Sequence, residues 1–270
     1  MAVSDLARSS AVLAAGTGTK SRPKNLGKPP SPGRDARRVP CLDGVIQSLR
    51  GAVILETDVN GLGAIRSLAA IRPRLQNLIG VDFTASIGFS SRLCDMRSAP
   101  GPHVDDGRAL RDFLLQVGEE IGGPLALFPS GDRTVRLICR FREALERRYR
   151  VLLPNAASVE TLIDKSKFAM LADRTGLLTP RHAIVESRTG AAMETGLRFP
   201  LVAKPLNSPG DDPIRRAFKA KLFETPHDWD AYFANWSAGG RLLIQERIVG
   251  EDSDIFFYGG VWRDGDPVCG

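Results

Sequence analysis

The chain has 270 residues, of which 43% are hydrophobic and 25% charged, the balance of a globular protein long enough to bury two ordinary cores. This composition excludes collagen-like, fibrous and wholly disordered classes. No run approaches the roughly eighteen apolar residues that a membrane-spanning helix requires, and the apolar stretch Ala11–Ala15 is too short for a signal-peptide core, so the sequence reads as a cytoplasmic protein without a membrane partner.

A formal charge of +6 raises nucleic acid as a partner, and the position of the charge answers it. Eight bases (Arg8, Lys20, Arg22, Lys24, Lys28, Arg34, Arg37, Arg38) and two acids (Asp5, Asp35) fall in the first 40 residues, so the tail carries the whole excess and the rest is formally neutral. A nucleic-acid-binding domain displays its basic charge on a folded surface. Here it lies in a stretch rich in Ala, Ser, Gly and Pro, read as a disordered extension over residues 1–47. Its run AVLAAGTGTKS (Ala11–Ser21) imitates a P-loop, but Thr19 stands where a glycine must precede the lysine. The four cysteines (Cys41, Cys94, Cys139, Cys269) form no C-x-x-C pair, and the three histidines (His103, His182, His227) show no metal-binding spacing.

Residues 48–155 alternate strand and helix. The apolar run Ala52–Glu56 has the length of a buried parallel strand. A turn at Asp58, Asn60, Gly61 and Gly63 follows, then a helix over Ala64–Leu75 and a strand over Asn77–Val81 ending at Asp82. A glycine- and serine-rich crossing leads to a helix over Arg108–Ile121, a strand over Leu125–Phe128 and a helix over Thr134–Tyr149 opened by Asp132. Such alternation predicts an α/β, doubly wound, Rossmann-like parallel sheet with right-handed crossovers. The turn and Asp82 resemble a dinucleotide fingerprint, but Arg66 occupies the third glycine position, so an NAD(P)-dependent oxidoreductase is the weaker alternative. The strand ends instead frame a crevice for a small polar substrate, with Asp58, Asn60, Gly61, Asp82, Ser130 and Asp132 as its candidate residues. The arginines between 133 and 150 are interleaved with Leu137, Phe141, Leu145, Glu143 and Glu146, the pattern of a solvated helix face.

From Asn155 the pattern changes. A helix over Phe168–Thr175 closes on Gly176; strands follow at Ala183–Glu186, Leu201–Lys204, Ala220–Glu224, Leu242–Arg247 and Ile255–Trp262, with a helix over His227–Trp236. This predicts an α+β unit over 156–270. Lys204 ends an apolar strand, which buries its stem and aims its ammonium into a cleft. Lys165 opens a helix, where backbone N–H groups and the dipole favour an anion. Gln245 and Glu246 can pair with a nucleobase edge or an amine, and Glu251 and Asp254 with ribose hydroxyls.

These elements, in this order, resemble the ATP-grasp superfamily, and in particular carboxylate–amine ligases related to the carbamoyl-phosphate synthase large chain. The matching segments are VILETDVNGLGAIRSLA, FPSGD, DKSKFAMLADRTGLLTP, FPLVAKP, KAKLFET and LLIQERIVGED, spread over residues 51 to 262. The resemblance implies a domain that precedes the grasp and binds co-substrate, followed by the N-terminal portion of an α+β ATP-grasp domain. It assigns Lys165 and Lys204 to ATP phosphates, Glu246 with the backbone of Arg247 to Val249 to the adenine, and Glu251 or Asp254 to the ribose. It implies ATP and Mg2+ as cofactors, a small-molecule carboxylate and an amine as substrates, and an acyl phosphate between them. Two departures stand out. The loop Asn207–Pro213 holds one glycine, with Asp211 and Asp212 expected to point outward, and the family's metal ligands lie on strands beyond Gly270, which implies a chain impaired in turnover. A non-catalytic nucleotide- or metabolite-binding module is the further alternative.

Overall fold

The computed structural model describes residues 48–71, 75–206, 217–234, 240–256, 260–263 and 266–269. The N-terminal extension, its P-loop-like run and the loop Asn207–Pro213 lie outside the described residues. The described residues divide into two compact units between Ile163 and Asp164.

The first unit is built on β1 (Gly51–Leu55), whose five residues are all buried. It pairs in parallel with β2 (Asn77–Asp82) on one side and β4 (Leu125–Pro129) on the other. A further strand, β3 (Asp95–Ser98), extends the sheet beyond β2, and β5 (Tyr149–Val151) extends it beyond β4, giving the order β3-β2-β1-β4-β5. Alternate residues of each strand face opposite sides. Val53, Leu55, Ile79, Val81, Leu125 and Leu127 pack against α2 (Arg108–Ile121), α3 (Asp132–Arg140) and α4 (Arg142–Leu145). Ala52 and Ile54 pack against Ile65 of α1 (Val59–Ala70) on the other side. The sheet is therefore doubly wound, and its strand order reverses between β1 and β4, where crevices form in such folds. A last helix, α5 (Ala156–Ile163), stays with this unit, Arg136 Nε of α3 meeting Glu160 Oε1 at 2.8 Å.

Four sequence expectations are corrected here. Asn60, Gly61 and Gly63 lie inside α1, not in a turn before it; the turn is Glu56 to Asp58, with Glu56 at φ 62°. Strand β3 has no apolar run because it is a short edge strand. Its charges suit that position: Arg97 holds Glu120 at 2.7 Å, and burdening an edge with charge discourages further pairing. The helix expected through Tyr149 stops at Leu145 after a break at Phe141, and Tyr149 enters β5 with its hydroxyl donating to the Leu114 carbonyl at 2.6 Å. Of the strand expected over Ile255–Trp262, Ile255, Phe256 and Gly260 lie outside any strand, residues 257–259 lie outside the described residues, and Val261 and Trp262 belong to β10 (Val261–Arg263), which pairs with β11 (Asp266–Cys269).

The second unit is an antiparallel sheet in the order β6-β9-β7-β8, with β6 His182–Glu186, β7 Leu201–Pro205, β8 Lys221–Phe223 and β9 Arg241–Glu246. One face carries Val185, Leu201, Ala203, Phe223, Leu242 and Ile244 under the aromatic side of α7 (Pro226–Phe233), where Trp229 and Phe233 are buried. That helix starts on a capping box, Thr225 with Asp228, and has proline at its first turn. The other face carries Ile184 and Leu243 under Ala169 of α6 (Lys165–Thr175). Helix α6 starts on the Asp164 carboxylate and ends on Gly176 at φ 68°.

Candidate functional site

At the carboxyl ends of the first sheet, the predicted residues separate into engaged and exposed groups. Asp82 is 6% exposed and accepts from the Thr57 N–H (2.7 Å), the Thr57 hydroxyl (2.9 Å) and the Phe83 N–H (2.8 Å). Burial pulls its pKa upward, but these donors and the Ser86 hydroxyl outweigh it and hold the carboxyl below the ordinary value of 3.8. Ser130 Oγ lies within donating reach of the Leu55 carbonyl (2.8 Å) and of the Glu56 carbonyl. Gly61 is buried against the same Glu56 carbonyl, with no room for a Cβ. The structure thus brings Gly61 and Ser130 together around the β1 to α1 turn, which Asp82 pins through Thr57. Asp58 at the start of α1, Asn60 in its first turn and Asp132 at the start of α3 remain exposed.

Sequence reasoning passed over Glu56. Its carboxylate accepts from Thr134 Oγ1 at 2.6 Å and fills the space that a Cβ on Gly131 would need, so it sits at the start of α3 on a left-handed backbone. An acid directly after the buried run AVIL was the available signal, and the strained φ identifies it once the backbone is known.

In the second unit, Lys204 lies on the α6 side of the sheet. Its ammonium donates to Gln245 Oε1 at 3.2 Å, across the register that pairs Lys204 with Leu243 and Val202 with Gln245. Burial, and then the neighbouring charge of Lys165, lower the pKa of Lys204. Lys221 points the other way, its ammonium 4.4 Å from the centre of the Tyr232 ring. Beyond residue 40 the chain's five lysines all lie between 165 and 221, while 48–163 uses arginine alone. Lysine is a compact point charge on a flexible stem, suited to meeting a phosphate.

The remaining candidates do not converge on that pair. Successive strand residues face opposite sides, and Glu246 accordingly turns away from Gln245: it accepts from Arg181 Nη1 and from the Arg198 N–H, each at 3.0 Å. The Arg247 N–H is taken by the Pro200 carbonyl at 2.9 Å, and its guanidinium lies 3.6 Å from Glu224. Val249 is 81% exposed. Asp254 accepts from the Glu251 N–H at 3.2 Å, closing a short turn in which both acids stay exposed. The start of α6 is not open to an anion in the way its dipole suggests. Asp164 accepts from the N–H groups of Ser166 (2.8 Å) and Lys167 (3.1 Å).

No protein-family profile and no curated protein matches the sequence. The chain is similar in fold to parts of several solved structures. The biotin carboxylase domain of the Hydrogenobacter thermophilus 2-oxoglutarate carboxylase is 14% identical, with a TM-score of 0.47 over 75% of this chain and 45% of that one. A RimK-domain ATP-grasp protein of Sphaerobacter thermophilus is 15% identical, with a TM-score of 0.45 over 74% and 65%. The D-alanine–D-alanine ligase of Bacillus anthracis is 14% identical, with a TM-score of 0.45 over 75% and 58%. The chain spans about 45% of the length of the biotin carboxylases it matches. No helix among the described residues is long and apolar enough to cross a membrane.

Proposed function

We propose that the second unit binds the phosphates of a nucleoside triphosphate through Lys165 and Lys204, and that the chain is part of an ATP-grasp ligase that joins a carboxylate to an amine. The observation that carries this is the placement of Lys204, whose ammonium lies on the α6 side of the sheet against Gln245 Oε1 at 3.2 Å. An ammonium drawn out of water there is stabilised by an anion such as a polyphosphate. Phosphoryl transfer asks a protein for positioning and charge neutralisation, which such lysines supply without a protein nucleophile. The exposed Asp58, Asn60 and Asp132 of the first unit are the proposed co-substrate contacts. Asp82 is withdrawn from that role, because three donors already occupy its oxygens. The same saturation weakens the dinucleotide reading, which needs an open acid at the end of β2 to accept from ribose. Among the described residues, no group of three or more His, Cys, Asp or Glu side chains is placed to share a metal ion.

Thermal denaturation with ATP, ADP, NAD and NADP tests the reading. A ligand that binds only the folded chain adds about 2.7 kcal/mol at a hundred times its dissociation constant. Stabilisation by adenine nucleotides, lost in Lys204→Met, is the expected result. A shift with NAD alone overturns it.

A further inference from the structure

The first sheet has a notch at the amino-terminal end of its outer edge. Strand β1 pairs with β2 from Asn77 onward, but β3 joins β2 only from Ile79, which lies opposite Asp95, so Asn77 and Leu78 run past the start of the outer strand. A cavity of about 450 Å³ lies there, within the range of about 300–1,000 Å³ typical of small-molecule sites. Its apolar walls come from both cores of this unit: Leu68 of α1, Leu75 and Leu78 on one side of the sheet, and Ile121 of α2 on the other. Cys94 completes the wall. Burial pushes its thiol up, so the group stays neutral and behaves as a small apolar side chain. The polar lining divides in two. Arg97 donates to Glu120 at 2.7 and 2.8 Å and to Asp95 at 3.1 Å, and Asn77 donates to the Arg50 carbonyl at 2.8 Å, so these groups are engaged by the fold. Arg92 lines the cavity and is exposed, which puts it at the mouth.

We infer that this cavity binds a small carboxylic acid with an apolar body, its hydrocarbon part against the leucines and Cys94 and its carboxylate on Arg92. A guanidinium is always charged, and its planar fork of donors matches the two oxygens of a carboxylate. The site is separate from the one proposed above and does not rest on the nucleotide reading. Strand β2 opens at the cavity with Asn77 and ends, six residues long, at Asp82 beside the β1 to α1 turn, so the two sites lie at opposite ends of the strands.

Calorimetric titration of the full chain with octanoate, 1-octanol and octylammonium tests this. Octanoate is expected to bind saturably and about tenfold more tightly than octanol, the worth of a hydrogen bond between charged groups. Octylammonium should bind least, because it meets Arg92 charge to like charge. Arg92→Gln should bring octanoate down to the level of octanol, and Cys94→Phe, which places a ring in the cavity, should abolish the binding of both. Octanoate that fails to bind, or binds no more tightly than octanol, overturns the inference. So does an octanoate affinity unchanged in Arg92→Gln or in a folded Cys94→Phe variant, since the acid would then sit elsewhere.

Discussion

Asp82 in the first unit and Lys204 in the second are both charged groups at the ends of apolar strands, and both are withdrawn from water. Their surroundings differ. Asp82 has three donors within 2.9 Å and a carboxyl held below its ordinary value. Among the described residues Lys204 has one amide oxygen at 3.2 Å, and burial, then the charge of Lys165, lower the pKa of its ammonium. A buried charge whose bonds are complete serves the fold, whereas one left short of acceptors beside a like charge points to a ligand. Distance from the sheet edge or residue type alone does not separate the two roles.

The sharpest break in this comparison comes from the structural side. Asp82→Ala strands the Thr57 and Phe83 N–H groups in the β1 to α1 turn and is expected to cost about 3 kcal/mol in chemical denaturation. The parent should also be acid-labile through this group. Its folded pKa lies below the unfolded value of 3.8, so the stability it contributes is complete above pH 3.8 and is lost as pH falls below that, when the unfolded chain takes the proton first. Asp82→Asn should flatten that part of the acid transition. An unchanged stability in Asp82→Ala would show that the three donors find other partners.

Gly61→Ala comes next, at about 2 kcal/mol, because its Cβ collides with the Glu56 carbonyl and α1 must shift away from the turn. Lys204→Met should invert the pattern. Nucleotide affinity falls by about 2 kcal/mol, roughly thirtyfold, by the worth of a hydrogen bond to a charged group, while the melting temperature stays level or rises. The sign follows from the lowered pKa: folding disfavours the charged ammonium, so the parent gains stability as pH rises from the folded towards the unfolded pKa, and the neutral variant should not. A clear drop in melting temperature without loss of affinity would return Lys204 to the fold.

The sequence made the architecture legible wherever one period dominated. The run AVIL, strand Asn77–Val81 and helix Arg108–Ile121 were visible as such, since buried parallel strands and amphipathic helices write their burial into spacing. Strand β3 was not, because an edge strand of Asp, Met, Arg and Ser carries no apolar signal and exists through pairing with β2. Helix α1 started earlier than its composition suggested: Asn60 and Gly61 are poor helix formers, and the tight approach of Gly61 to Glu56 overrides their propensity. Lys165 and Lys204 could be picked out as strand-end and helix-start cations. Which of two adjacent residues, Gln245 or Glu246, shares their face could not, for that depends on a strand register set by β7. Glu56 was marked only by being an acid directly after the run AVIL; its positive φ, which sets where its carboxylate goes, is a property of the turn and leaves no mark in the residue type.

The smallest expected effect concerns Asp164, where fold and ligand compete for the same helix end. Its carboxylate caps α6 through the Ser166 and Lys167 N–H groups, with burial drawing its pKa up and the Ser166 hydroxyl and those N–H groups holding it below the ordinary value. Removing the cap in Asp164→Ala should cost about 1 kcal/mol of stability. It also removes a negative charge next to Lys165 and frees two N–H groups at the positive end of the helix dipole. If the phosphates sit beside Lys165, their affinity should therefore improve by about 0.5 kcal/mol, roughly twofold, even as the unliganded chain becomes easier to unfold. Paired measurements of melting temperature and calorimetric affinity separate the two effects. A variant that loses stability and affinity together would place the anion away from the start of α6, and Lys204 would then carry the phosphate contact alone.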